Sequence, residues 1–95
     1  MVKVVAKNYA KKDKVKEVIE LCRELVNETR KEEGCIKYEF FQDVNEPSIL
    51  TFIEEWISVE ALKKHMKSEH FTRIIPEFGK LMEKDGDINV YKKVI

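Results

Sequence analysis

Two polar side chains, Asn8 and His65, fall on sequence faces that are otherwise apolar. Asn8 belongs to a run that alternates like a half-buried strand, and His65 shares a helical face with Leu62 and Met66. A buried donor or acceptor without a partner costs roughly 1–3 kcal/mol, so each side chain must be satisfied internally or serve a ligand. Both residues are therefore candidates for contact with a ligand.

Aromatic residues on the neighbouring predicted strands supply a wall for the same site. Alternate positions place Tyr38 and Phe40, then Phe52, Glu54 and Trp56, on one face with the amide. Helical residues close the opposite side, and stacking surface with a few polar groups suits a small, flat organic ligand. The predicted ligand contacts are Tyr38, Phe40, Phe52, Glu54, Met66, Phe71 and Ile75.

A plainer interpretation of these residues stays open. Aromatic side chains at strand and helix spacing often form ordinary core, because periodicity identifies buried faces and not cavities. Glu54, near a strand end, could cap a helix or pair with Lys63 or Arg73. The two interpretations differ in whether the aromatic face encloses a cavity.

The sequence offers little for other kinds of chemistry. His70 follows His65 by five residues, roughly 140° around a helix, so we expect the rings to diverge and no metal to bind. Cys22 and Cys35 lack disulfide or zinc spacing, and we expect two buried, reduced thiols to which we assign no role. Glycine-rich phosphate loops and nucleophile elbows are missing, which argues against dinucleotide binding and serine hydrolysis.

Hydrophobic periodicity predicts the elements that position these residues. Period-two runs predict strands over 2–9, 36–43 and 49–56, the last two joined by a short connection. Helical spacing predicts a helix over 13–33, with Asp13 as its cap and Gly34 as its stop. These elements are the first three strands and the first helix of the predicted fold, and the second and third strands form a hairpin.

The second half of the chain predicts helical pieces. Ser58 should cap a helix that contains His65, and Ser68 offers a second cap to a helical segment over 71–82. Pro76 should restart or kink that segment, because proline lacks the backbone N–H. We therefore expect two pieces instead of one rod.

A turn at 85–86 should lead into a fourth strand over 88–95. The order β-α-β-β-α-β is that of an α+β, ferredoxin-like sandwich, with helices on one face of an antiparallel sheet. One domain over 1–95 accounts for the whole length.

The sheet face away from the helices is too apolar to be exposed to water, so we expect a homodimeric α+β barrel in which a second copy covers Val5, Tyr9, Phe41, Ile49 and Ile53.

Charge and hydropathy limit the partners. Eighteen Lys and Arg balance eighteen Asp and Glu, and the signs are interspersed, so attraction to nucleic acid or an anionic membrane is not expected. The initial apolar run is too short for a signal peptide, and no run approaches the roughly 20 apolar residues of a membrane span. We expect a cytoplasmic protein with neither kind of partner.

An ordered set of motifs resembles the antibiotic biosynthesis monooxygenase family. The chain contains, in this order, an E-x-W, a short cap, an A-L-x-x-H and a later H-F. Together they span more than a third of the chain. The residues that carry the resemblance are EEGCIKYE at 32–39, FIEEWIS at 52–58, Ala61-Leu62, His65 and His70-Phe71. The resemblance implies a dimeric α+β barrel with a substrate pocket between sheet and helices.

The likeness to quinol-oxidising members implies a monooxygenase that needs no cofactor or metal. Its substrate would be a quinol or another small electron-rich aromatic, and its oxidant dioxygen. His65 would then be the base, Asn8 and the Trp56 indole would hold substrate oxygens, and apolar side chains would exclude water. The resemblance thus gives His65, Asn8 and Trp56 catalytic roles.

Two alternatives stay open beside this function. Isomerases of phosphorylated autoinducer sugars share the helical histidine, but they tend to have Tyr where this chain has Trp56. A dimeric ligand-binding or stress-response module would use the same pocket without turnover. Haem degradation is disfavoured, because Ile75 stands where those relatives place the axial His.

Overall fold

Four antiparallel strands and three helices make up the fold. The computed structural model, which describes residues 1–95, has strands β1 (Val2–Ala10), β2 (Cys35–Gln42), β3 (Ile49–Trp56) and β4 (Met82–Lys92). The helices are α1 (Val15–Thr29), α2 (Val59–His65) and α3 (Glu69–Lys80). The sheet order is β2-β3-β1-β4, which is the predicted ferredoxin-like α+β arrangement.

Alternation along β1 decides which side chains meet the helices. Val2, Val4, Ala6 and Asn8 are buried, while the residues between them are exposed or half-buried. The residues of β3 at even positions, from 50 to 56, are buried in the same way. These two rows form the floor of the core, as the period-two pattern predicts.

The helices cover that floor with apolar stripes. Val18, Cys22 and Leu25 of α1 recur at helical spacing and are fully buried, and Ile74 and Phe78 of α3 join the same core. Each such apolar side chain stabilises the fold by roughly 1.5–3 kcal/mol on burial. None of the three helices is both long and apolar enough to cross a membrane.

Two of the three predicted helix caps are confirmed. The Ser58 hydroxyl accepts from the Ala61 N–H at 3.1 Å, and the Ser68 hydroxyl accepts from the Phe71 N–H at 3.3 Å. The third was wrong, because α1 starts after Lys14 without a side-chain cap and ends at residue 29 instead of 33.

The predicted effects of Gly34 and Pro76 on the helices were wrong. Gly34 ends the turns after α1, where its φ of 90° requires a glycine, and does not stop the helix itself. Pro76 lies inside a continuous α3. The burial of Ile74 and Phe78 on either side of it holds the helix together despite the missing N–H. The break between the two helical pieces instead falls at 66–68.

The fourth strand is longer than its sequence suggests. It begins at Met82, so the predicted turn at 85–86 lies within β4 and the helical pattern ends before residue 82. The pairing with β1 is irregular between Lys7 and Ala10, opposite this segment. A Cβ on Gly86 would lie 2.5 Å from the carbonyl oxygen of Lys7, so this glycine permits a close strand approach instead of a turn.

The sheet face away from the helices carries the apolar residues that the sequence assigned to it. Val5, Tyr9, Ile49 and Ile53 are half-buried there, and Phe41 is 47% exposed. A second copy of the chain on this face stays a prediction.

Candidate functional site

A cavity of about 630 Å³ lies between the sheet and the helices α2 and α3. Its floor comes from β1, β2 and β3, and its roof from the two helices. Eight of the ten predicted site residues border it: Asn8, Tyr38, Phe52, Glu54, His65, Met66, Phe71 and Ile75. The aromatic face therefore encloses a space, which the plainer core interpretation does not require.

The other two predicted site residues, Phe40 and Trp56, do not border the cavity. Phe40 stacks on Phe52 with ring centroids 4.2 Å apart and lines a separate hollow of about 280 Å³ beside α1. Trp56 is fully buried, and its indole N–H donates to Oε1 of Glu54 at 2.9 Å. Both residues lie behind side chains that border the cavity, and their contact with a ligand stays a prediction.

One side of the cavity was missed by the sequence interpretation. The segment 82–86, together with Ile88 and Val90 of β4, borders the cavity. The sequence predicted a helix end and a turn for most of this stretch, so it gave no reason to place these residues at the site. Ile88 and Val90 are largely exposed, which leaves the cavity open along this strand.

His65, the last residue of α2, is held firmly in the cavity wall. Its ring lies 4.8 Å from that of Trp56, 5.2 Å from that of Tyr38 and 5.0 Å from that of Phe71, measured between centroids. Burial lowers the pKa of His65, an effect that the nearby Glu32 partly opposes. The ring is therefore neutral near neutral pH.

Glu32 fixes the tautomer of that neutral ring. Its Oε2 lies 2.7 Å from Nδ1 of His65, and a carboxylate can only accept, so Nδ1 carries the proton. Nε2 of His65 has no protein partner and keeps its lone pair. The ring thus offers the cavity an oriented acceptor for a proton.

Glu32 also binds His70, which overturns an expectation from the sequence. Nε2 of His70 lies 2.6 Å from the same carboxylate oxygen, so the two histidines converge instead of diverging. The expected divergence assumed one continuous helix, but the chain bends at 66–68 between α2 and α3. The sequence motif contained Glu32 without giving it a role, since only the folded chain brings the three residues together.

Glu54 is another titratable group that borders the cavity. Burial raises the pKa of Glu54 to about 7, although the hydrogen bond from Trp56 lowers it. Neither Lys63 nor Arg73 pairs with it, because Arg73 binds Glu24 and Glu69 on the outer surface. Glu54 is thus free to exchange a proton near neutral pH.

Asn8 reaches the cavity from β1 and keeps unused hydrogen-bonding groups. One N–H of its amide donates to the carbonyl of Ala6 at 2.9 Å. The second N–H and Oδ1 have no hydrogen-bond partner in the protein. They are available to a polar group on a ligand.

The chain matches a known protein family over most of its length. The sequence profile of the family described as "Antibiotic biosynthesis monooxygenase" matches residues 1–77. The chain belongs to this family. The match covers β1 through most of α3, but the cavity-bordering residues of β4 lie beyond it.

Individual relatives match this member of the antibiotic biosynthesis monooxygenase family over most of its length. A conserved protein from Methanosarcina mazei is 44% identical, with a TM-score of 0.96 over 98% of this chain and 92% of that chain. The crystal structure of an antibiotic biosynthesis monooxygenase is 38% identical, with a TM-score of 0.96 over 100% of both chains. An uncharacterised protein from Synechocystis is 34% identical over 94% of this chain, which spans 61% of that relative.

Proposed function

We propose that this protein is a monooxygenase that oxidises a quinol or another small electron-rich aromatic with dioxygen and needs no cofactor. Its family and its likeness to a structure named as a monooxygenase support this class of reaction. The observation that carries the proposal is the state of His65: Nδ1 is committed to Glu32, and Nε2 is free at an aromatic cavity.

The reaction begins at the free nitrogen of His65. Nε2 takes the proton of a substrate hydroxyl, and the resulting phenolate is electron-rich enough to reduce dioxygen. One oxygen atom forms a new C–O bond on the ring, and the other leaves as water. A quinol and one dioxygen thus give a hydroxyquinone and one water, with all four electrons supplied by the substrate.

The remaining polar groups hold the substrate oxygens. The free N–H of Asn8 stabilises the negative charge that develops after deprotonation. This stabilisation is effective because the fold orients the donor before the reaction begins. Glu54 in its protonated form donates to a second oxygen, and in its ionised form accepts from a hydroxyl. Trp56 acts through Glu54, which it orients by its indole N–H.

The apolar wall selects flat, uncharged substrates. Tyr38, Phe52 and Phe71 supply ring surfaces, and the volume of about 630 Å³ falls in the range of small-molecule sites. Lys84 is the one Lys or Arg that borders the cavity, and its ammonium lies over the Tyr9 ring, 4.3 Å from the centroid. This composition favours an aromatic over a phosphorylated sugar.

Oxygen uptake tests the proposal. With naphthohydroquinone, and after subtraction of uncatalysed oxidation, wild-type protein should consume dioxygen, while His65→Gln should lose roughly a hundredfold or more. Lys64→Gln, an exposed neighbour, serves as the matched control and should keep full activity. Quenching of Trp56 fluorescence should show that His65→Gln still binds the quinol. Binding without uptake by wild-type protein would favour a ligand-binding module, and turnover of a phosphorylated sugar an isomerase.

A further inference from the structure

Three potential metal ligands meet where α2 and α3 join. Glu32 comes from the turns before β2, His65 ends α2, and His70 lies in the first turn of α3. Their nearest ligand atoms all lie within 4.8 Å of one another. Three side chains from three segments of the chain thus face one point.

The bend between the helices holds this arrangement in place. The Ser68 hydroxyl donates to the carbonyl of His65 at 2.7 Å and accepts from the N–H of Phe71. The same hydroxyl lies 3.2 Å from Nε2 of His70. One serine therefore fixes the end of α2 and the start of α3, and with them both imidazoles.

We propose that Glu32, His65 and His70 bind a divalent transition-metal ion of the zinc class. The ligands are Oε2 of Glu32, Nδ1 of His65 and Nε2 of His70. Two imidazoles and one carboxylate are a common ligand set for Zn²⁺, and water or Ser68 completes the coordination.

The distances require only a small adjustment. Ligand atoms in a tetrahedral zinc site lie roughly 3.3 Å apart, given metal–ligand distances of about 2.0–2.2 Å. The two nitrogens now lie 2.7 and 2.6 Å from the Glu32 oxygen, so each of these separations must lengthen by less than about 1 Å, and the two nitrogens lie within 4.8 Å of each other. Glu32 and His70 are 15% and 14% exposed, which gives the ion a path from solvent.

Metal binding would change the chemistry at the cavity, a consequence that rests on the proposed function. An ion on Nδ1 of His65 displaces the proton that now faces Glu32, and the neutral ring then carries its proton on Nε2. The nitrogen that accepts a substrate proton becomes a donor. The ion is therefore an inhibitor of the oxygenase, not its cofactor.

Calorimetric titration with Zn²⁺ tests the site directly. A Cys35→Ser background removes the half-exposed thiol as a competing ligand. In that background the protein should bind one Zn²⁺ per chain, and Glu32→Gln and His70→Gln should each weaken binding by at least roughly tenfold. Glu33→Gln, an exposed carboxylate next in sequence, is the matched control and should bind like the parent.

Two further readouts separate the site from the fold and from the activity. Circular dichroism identifies any variant that fails to fold. In place of the comparison with such a variant, the site is then tested in the parent protein, where bound Co²⁺ should give visible ligand-field bands. Inhibition of oxygen uptake by Zn²⁺ should require at least roughly tenfold more Zn²⁺ in His70→Gln than in the parent. Failure of saturable binding, or equal binding by Glu32→Gln and Glu33→Gln, overturns the site. Binding to a protein that consumes no dioxygen leaves the site standing and refutes only the oxygenase.

Discussion

Nδ1 of His65 lies 2.7 Å from Oε2 of Glu32, although 33 positions separate the two residues in the chain. This hydrogen bond selects one tautomer of a ring that burial keeps neutral. It therefore decides that the imidazole presents an acceptor, and not a donor, to the cavity. The proposed oxygenation and its inhibition by metal both follow from this one contact.

Glu54 should make the protein less stable as pH rises. Because burial raises the pKa of Glu54 from 4.5 to about 7, the folded protein holds this proton more tightly than the unfolded chain. The free energy of unfolding therefore falls between those two values, by up to roughly 3 kcal/mol. Replacement Glu54→Gln, whose carbonyl still accepts from Trp56, should remove this loss.

Urea unfolding from pH 4.5 upward measures the effect. Glu54→Gln should match wild-type stability at the acid end and exceed it above about pH 7. Glu55→Gln, on the opposite face of β3, is the matched control and should retain the wild-type pH dependence. An equal gain for Glu54→Gln at every pH would show that the carboxyl does not titrate as described.

Two glycines should respond to alanine in opposite directions. Gly86→Ala places a methyl group 2.5 Å from the Lys7 carbonyl oxygen and 2.9 Å from Oδ1 of Asn8, so it should cost about 1–3 kcal/mol and displace the Asn8 amide. Gly79→Ala meets nothing within 4 Å near the end of α3 and should stabilise the fold by up to about 1 kcal/mol. Thermal unfolding of the pair checks both signs, and similar melting temperatures would contradict the close strand approach.

The apolar outer face of the sheet should be covered by a second copy. We expect a homodimer that buries more than roughly 1,000 Å² in total. Phe41→Asp should dissociate it, whereas Val44→Asp, an exposed apolar residue in the nearby turn, should not. Sedimentation velocity at micromolar concentration distinguishes these results, and a wild-type monomer would contradict the barrel.

Much of the fold follows from period-two and helical spacing. The run from 49 to 56 predicted β3 to the residue, and parity placed Asn8, Tyr38 and Glu54 on one face, because burial alternates along a strand. The serine caps were also predictable, since a hydroxyl before a helix satisfies a free N–H.

Long-range contacts account for what the sequence missed. Residues 85–86 resemble a turn, yet the Tyr9–Lys84 and Lys7–Asp87 pairs on either side include them in β4, and both residues border the cavity. The contact between Glu32 and His70 depends on a bend that two separate serine-capped helices create. Neither relationship has a local signal, because each arises from residues that only tertiary packing brings together.

Product analysis under isotopically heavy dioxygen tests the central claim most directly. With naphthohydroquinone, wild-type protein and Lys64→Gln should form a hydroxyquinone that carries one labelled oxygen atom, while the other labelled atom appears in water. His65→Gln should give only the uncatalysed background. A product whose new oxygen comes from solvent, hydrogen peroxide in place of water, or equal labelling with His65→Gln would contradict a monooxygenase that depends on His65.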